Sequence, residues 1–110
     1  MRTAVAETSI QAYHTIDRET LRGRIAEHIA GRTKHGKPSW IAQIARDLKL
    51  EKSTVSARMN ELKEGVFSFD GKEYMRLEFS GKRQDPVTLI TVETWSVIRA
   101  HDPGEQLNLF

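Results

Sequence analysis

Ser53, Ala57 and Asn60 recur at spacings of four and three residues, with Ser56 beside them. On a helical segment over 52–64 these side chains share one face, because residues three and four apart stand one above the other. Short side chains let a helix lie deep in the major groove of duplex DNA, where base edges present donors and acceptors. Asn60 can read an adenine edge through two hydrogen bonds, and Ser53 and Ser56 can meet bases or phosphates. Lys52 and Arg58 flank the face and suit phosphates, which fix position without reading sequence. Lys82 and Arg83, in the polar stretch Gly81–Pro86, are further cations expected at a hairpin tip, within reach of a minor groove or backbone. The plainer alternatives are that early helical serines cap, and that surface lysines and arginines are solvated.

Other chemistries find less support. His14, His28, His35 and His101 lack metal-ligand spacing, so no metal is expected, and His28 reads as a packed or edge histidine. The chain has no cysteine, which excludes disulfide frameworks, cysteine-ligated zinc and thiol catalysis. No Gly-rich phosphate loop, nucleophile elbow or paired carboxylates can be argued, so no enzyme, cofactor or small-molecule ligand is expected. Trp40 and Trp95 are expected as core or core-edge anchors. Asp17 and Glu19 complement a helix dipole.

Three helices must position the reading face. Residues 1–16 read as an irregular arm or short turn, with Ile10, Tyr13 and Ile16 available for packing. Asp17 is the expected N-cap of a first helix carrying the stripe Leu21, Ile25 and Ile29, and Gly31 its expected end. Residues 31–38 form a basic connector. Ser39 is the expected cap of a second helix with Ile41, Ile44, Ala45 and Leu48 on one face. A tight break at Leu48-Lys49-Leu50 leads into the third helix, with Val55, Met59 and Leu62 inward and Gly65 as its stop. The apolar period then falls to two. Phe67 and Phe69 alternate, Asp70-Gly71 signals a tight turn, and Met75, Leu77 and Phe79 alternate again. Residues 66–80 thus form either one long strand or an extra hairpin. Val87–Val92, rich in β-branched residues, reads as the return strand. Residues 94–100 fit either a continued strand or a helical turn, and Asp102-Pro103-Gly104 breaks what precedes it.

Residues 39–66 read Ser-Trp-Ile-Ala-Gln-Ile-Ala-Arg-Asp-Leu-Lys-Leu-Glu-Lys-Ser-Thr-Val-Ser-Ala-Arg-Met-Asn-Glu-Leu-Lys-Glu-Gly-Val. This stretch resembles the winged helix-turn-helix proteins of bacteria and their phages. With the arm around Ser9–Ile16, the likeness is to small phage and mobile-element proteins and extends over residues 9–92. It implies an α+β fold, three helices followed by a two- or three-stranded antiparallel hairpin sheet, and double-stranded DNA as partner. Many such motifs carry glycine at the turn; here Lys49 stands there, and a left-handed conformation would cost it about 1–2 kcal/mol.

Residues 106–110, Gln-Leu-Asn-Leu-Phe, resemble the peptide by which bacterial polymerases and repair proteins bind the replicative sliding clamp. The resemblance implies that Gln106 hydrogen-bonds at the mouth of a cleft, Leu107 occupies its shallow part, and Leu109 with Phe110 fill its apolar pocket. Pro103-Gly104 would detach the segment from the fold. Three large apolar residues there would otherwise stand exposed, which is unusual without a partner. The alternative is that they pack back on the domain.

The chain has 110 residues, 38% hydrophobic and 29% charged, enough for one small domain. The expected division is an arm over 1–16, a winged helix-turn-helix domain over 17–101, and a tail over 102–110. No apolar run approaches a bilayer span or a signal peptide, so a cytoplasmic protein without membrane contact is expected. Net charge is only +2, but Asp17–Lys37 is mostly basic and the end from Glu93 acidic. The expectation is a non-enzymatic, replication-associated accessory or regulatory factor that binds duplex DNA and docks on the clamp. The alternatives are a protein-interaction winged helix that binds or inhibits the clamp without DNA, and a plain transcription regulator whose tail packs on the domain.

Overall fold

The computed structural model describes residues 13–100. Most of the expected arm and tail, including the clamp-like peptide Gln106, Leu107, Leu109 and Phe110, therefore lies outside the described residues.

The first apolar stripe folds as α1, Leu21–Lys34, with Ile25, Ala26 and Ile29 fully buried. Its cap is Thr20, three residues after the expected Asp17: Thr20 Oγ1 accepts from the Gly23 amide at 3.0 Å. Asp17 instead accepts from the Glu19 amide at 2.9 Å, and its carbonyl accepts from the Thr20 hydroxyl at 2.7 Å. This folded-back entry depends on Gly23, since a Cβ there would lie 2.0 Å from the Asp17 carbonyl oxygen. Gly31 does not end the helix either. Termination falls at Gly36, whose φ of +72° is left-handed; Gly36 N–H donates to Thr33 and Lys37 N–H to Arg32. These are the paired bonds of a Schellman ending, and glycine supplies that conformation at no steric cost.

Helix α2, Ile41–Leu48, begins without a side-chain cap. Ser39, the expected cap, is buried and pairs its backbone with Trp95 at 2.9 and 2.7 Å, tying the connector to the sheet. Lys49 takes the left-handed conformation (φ 57°, ψ 49°) that the helix-to-helix corner requires. The Leu50 amide then closes on the Ala45 carbonyl at 2.9 Å. Helix α3, Lys52–Leu62, follows, with Val55, Met59 and Leu62 buried as their spacing predicts.

Strand β1, Tyr13–Thr15, precedes the helices; β2, Val66–Ser68, β3, Met75–Gln84, and β4, Thr91–Arg99, follow them. The order in the sheet is β1-β2-β3-β4. β2, β3 and β4 form the expected antiparallel part, and β1 lies parallel on β2, where an irregular arm was expected. Residues 66–80 form a hairpin: Asp70 Oδ1 accepts from the amides of Lys72 (2.8 Å) and Glu73 (3.0 Å), and Ser68 Oγ accepts from Gly71 N–H (2.8 Å). The ambiguous stretch 94–100 is largely strand β4. The return strand starts at Thr91, not Val87, and Lys82 and Arg83 are not at the hairpin tip: both lie in β3, and the tip is Asp85–Ile90. The reason is local closure, because Asp85 N–H donates to Ile90 and Leu89 N–H to Asp85 before the strands diverge into a loop.

Ile16, Ile25, Ile29, Ile44, Val55, Met59, Leu62, Phe67, Leu77 and Val97 form one core between the helices and the sheet. The architecture is α+β, with the helix order and terminal hairpin of a winged helix-turn-helix. Among the described residues, no helix is long and apolar enough to cross a membrane.

Candidate nucleic-acid interface

Burying Val55, Met59 and Leu62 turns the opposite face of α3 outward. Ser53, Ala57 and Asn60 are exposed on it, and Ser56 is half-buried at its edge. The face is made of small side chains, so its backbone can approach a partner closely.

The two flanks differ in charge. On the α1 side, Glu61 forms ion pairs with Arg22 (Nε to Oε1) and with an Arg58 terminal nitrogen (to Oε2), each at 2.9 Å. Arg58 is therefore half-buried in an ion-pair network, and meeting a phosphate would require it to share or leave Glu61. On the sheet side, Lys52 and Lys63 are exposed, and Lys63 Nζ lies 4.1 Å from the centre of the Trp95 ring. These two lysines face β4 and the hairpin tip across an open groove of about 350 Å³, whose other wall includes Thr88, Ile90, Val92 and Glu93. Lys63 was not among the expected contacts; its signal was its position one helical turn beyond Asn60 and Met59.

The hairpin is fixed to α2 by one carboxylate. Asp85 is fully buried. Its Oδ2 accepts from the Trp40 indole N–H at 2.7 Å and from Arg46 at 3.0 Å, and its Oδ1 accepts from the amides of Val87 (2.7 Å) and Thr88 (3.1 Å). The Trp40 indole above all, then those amides and Arg46, hold this carboxyl far below its ordinary range, against the opposing effect of burial. Arg83 stacks its guanidinium 4.7 Å from the Trp40 ring centre, so it braces the hairpin base; Lys82 is exposed on β3, paired in register with Glu93. The structure thus gathers Ser53, Ala57 and Asn60 on one ridge with Ser56 at its edge, sets Lys52 on the sheet-side flank and Arg58 on the far one, and places Lys82 and Arg83 apart on the hairpin stem. Trp40 is the expected core-edge anchor, 4% exposed. Asp85 was missed because a carboxylate before proline in a polar stretch reads as ordinary loop.

Elsewhere, His28 Nε2 lies 3.2 Å from Asp47 Oδ2 and 2.9 Å from the Gln43 amide nitrogen, at a half-buried edge of the helices. Among the described residues, no three His, Cys, Asp or Glu side chains gather as metal ligands would.

No protein-family model matches the chain, and no solved structure matches it. Among curated proteins, it is similar to the GTPase Der of Agathobacter rectalis, with 31% identity over 93 residues, which are 84% of this chain and 21% of that protein. The chain thus spans about a fifth of that relative's length. One local feature bears on the comparison. Gly31-Arg-Thr-Lys-His-Gly36-Lys37 has the glycine and lysine spacing of a phosphate-cradling loop, but Pro38 stands where a hydroxyl residue would follow. Here Gly31–Lys34 is the last turn of α1, whereas such a loop runs from a strand into a helix.

Proposed function

We propose that this chain is a non-enzymatic, double-stranded DNA-binding winged-helix protein that uses α3 as its reading helix. The observation that carries this reading is the outward ridge of Ser53, Ala57 and Asn60, exposed and small, opposite a fully buried apolar stripe. Lys52 and Lys63 beside the ridge supply positive charge where a phosphate strand would pass. The resemblance of residues 106–110 to the sliding-clamp peptide adds a second partner and a replication-associated accessory or regulatory role. The activity named for the GTPase relative is not carried over, because the one glycine-lysine stretch of matching spacing ends a helix.

A salt titration of binding to random duplex tests the first part. Affinity falls steeply with rising salt if phosphates are contacted, because bound counterions are released. Asn60→Ala relaxes preference at one base pair by about 1–3 kcal/mol. Salt-independent or absent binding would favour the protein-interaction reading, in which the domain docks on the clamp without DNA. Capture by bacterial sliding clamp, comparing the chain with one lacking residues 106–110, tests the second part; equal capture of both rejects it.

A further inference from the structure

Five large apolar side chains are exposed among the described residues, and three of them, Val87, Leu89 and Ile90, stand together on the hairpin tip, 67%, 64% and 62% exposed. Apolar side chains exposed singly are ordinary; three together on a projecting loop mark a contact surface. The tip is also rigidly built. The buried Asp85 carboxylate holds the Val87 and Thr88 amides, Gln84 Nε2 donates to the Leu89 carbonyl at 3.0 Å, and Asp85 and Ile90 close the loop backbone to backbone. Leu89 sits at φ +65°, a region that favours glycine. A strained position that nonetheless presents a large apolar side chain points to a use for that side chain.

The groove beside the tip indicates what meets it. Lys52 and Lys63 line one wall, and Thr88, Ile90 and Val92 the other. An apolar protein surface closing over this groove would take the Lys52 ammonium from water without supplying a partner and would leave Lys63 only the Trp95 ring beneath it, whereas a phosphate strand supplies a counter-charge to both. Resting on the duplex reading above, we propose that the tip is an apolar wedge. A phosphate strand lies in the groove against Lys52 and Lys63, while Val87, Leu89 and Ile90 enter the adjoining minor groove and part a base step. Side chains of this kind partly unstack the step they enter and kink the duplex toward the major groove. Glu93, on the same wall, favours a strand held toward the lysines rather than deep against the sheet.

The test uses a short duplex rich in TA steps, which kink most easily, with a fluorescent donor and acceptor at its two ends. The full chain is compared with the triple variant Val87→Thr, Leu89→Asn, Ile90→Thr, which keeps β-branched shape at two positions and tolerates the left-handed conformation at the third. The wild-type chain is expected to raise energy transfer between the ends and to make thymines at one step reactive to permanganate. The variant is expected to bind with the same salt dependence, which shows that it is folded, yet to lose both signals. If the wild-type chain binds in a salt-dependent way and both signals stay at the level of free duplex, the wedge is wrong while the duplex reading stands. If the wild-type chain does not bind duplex at all, that reading fails and the wedge with it. If the wild-type chain self-associates, the variant does not, and the duplex stays straight, the tip belongs to a second copy and the wedge is overturned.

Discussion

Among the described residues, two that carry side chains hold left-handed backbone, Lys49 at φ 57° and Leu89 at φ 65°. Each carries a cost of about 1–2 kcal/mol that glycine would not. Lys49→Gly is therefore expected to raise stability by about 1 kcal/mol, read as a higher urea midpoint with an unchanged slope. An unchanged or lower midpoint would show that the Lys49 side chain repays the strain. The glycines of α1 test the opposite case. Gly31→Ala meets nothing within 4 Å inside a helix and should stabilise by about 0.5–1 kcal/mol. Gly23→Ala must push back the Asp17 carbonyl, 2.0 Å from the new Cβ, and should destabilise. Lys49 could be placed from sequence because the apolar pair Leu48 and Leu50 brackets a corner. Leu89 could not, because a leucine among β-branched residues reads as strand, and only the Asp85–Ile90 closure reveals it as a turn residue.

At the scale of elements, periodicity carried well and termini poorly. The four-residue and three-residue spacings of Ile25, Ile29, Val55, Met59 and Leu62 place these side chains inward, since burying them is what a helix on a sheet must do. Met59→Ala should cost about 2–5 kcal/mol in urea unfolding, the range for emptying a fully buried site. The caps moved because several residues near each end could serve, and tertiary contacts chose among them: the Asp17 carbonyl against Gly23, and Ser39 against Trp95. β1 has only three residues and pairs with β2, some fifty residues further on, so no local alternation announces it. The link from Asp85 to Trp40 spans 45 residues and is likewise invisible to local pattern. It has a pH signature. Asp85 holds its proton less tightly folded than unfolded, so its stabilisation is full above its ordinary value of 3.8 and is lost as pH falls through the lower folded value. Acid unfolding of Asp85→Asn should therefore depend less on pH below about 4 than that of the unaltered chain. Equal dependence would mean that the carboxylate is not held as the contacts indicate. Asp70, lowered by the Glu73 and Lys72 amides, remains in both proteins and cancels in the comparison.

At the scale of the molecule, the α+β architecture and the outward placement of Ser53, Ala57 and Asn60 were both visible in the pattern, because each follows from which helix face is apolar. The groove facing the hairpin tip was not, since it joins α3 to a loop whose position depends on a buried carboxylate. Its cations, Lys52 and Lys63, make the strand-side flank positive although net charge is only +2. If the domain binds duplex as proposed, that modest charge implies modest affinity for bare duplex, and this is where a second contact would matter most. If residues 106–110 engage a sliding clamp already on DNA, binding of the domain to that DNA becomes intramolecular, and avidity rises by about 10²–10⁴ without new contacts. The gain requires only that the segment after β4, which ends at Arg99, can span clamp and duplex together. Affinity for clamp-loaded circular DNA should then exceed affinity for the same DNA without clamp, and removing residues 106–110 should abolish the difference while leaving binding to bare duplex unchanged. A clamp-dependent gain that survives the deletion would place the contact on the folded domain. No gain in either protein would mean that the two partners are not held at once.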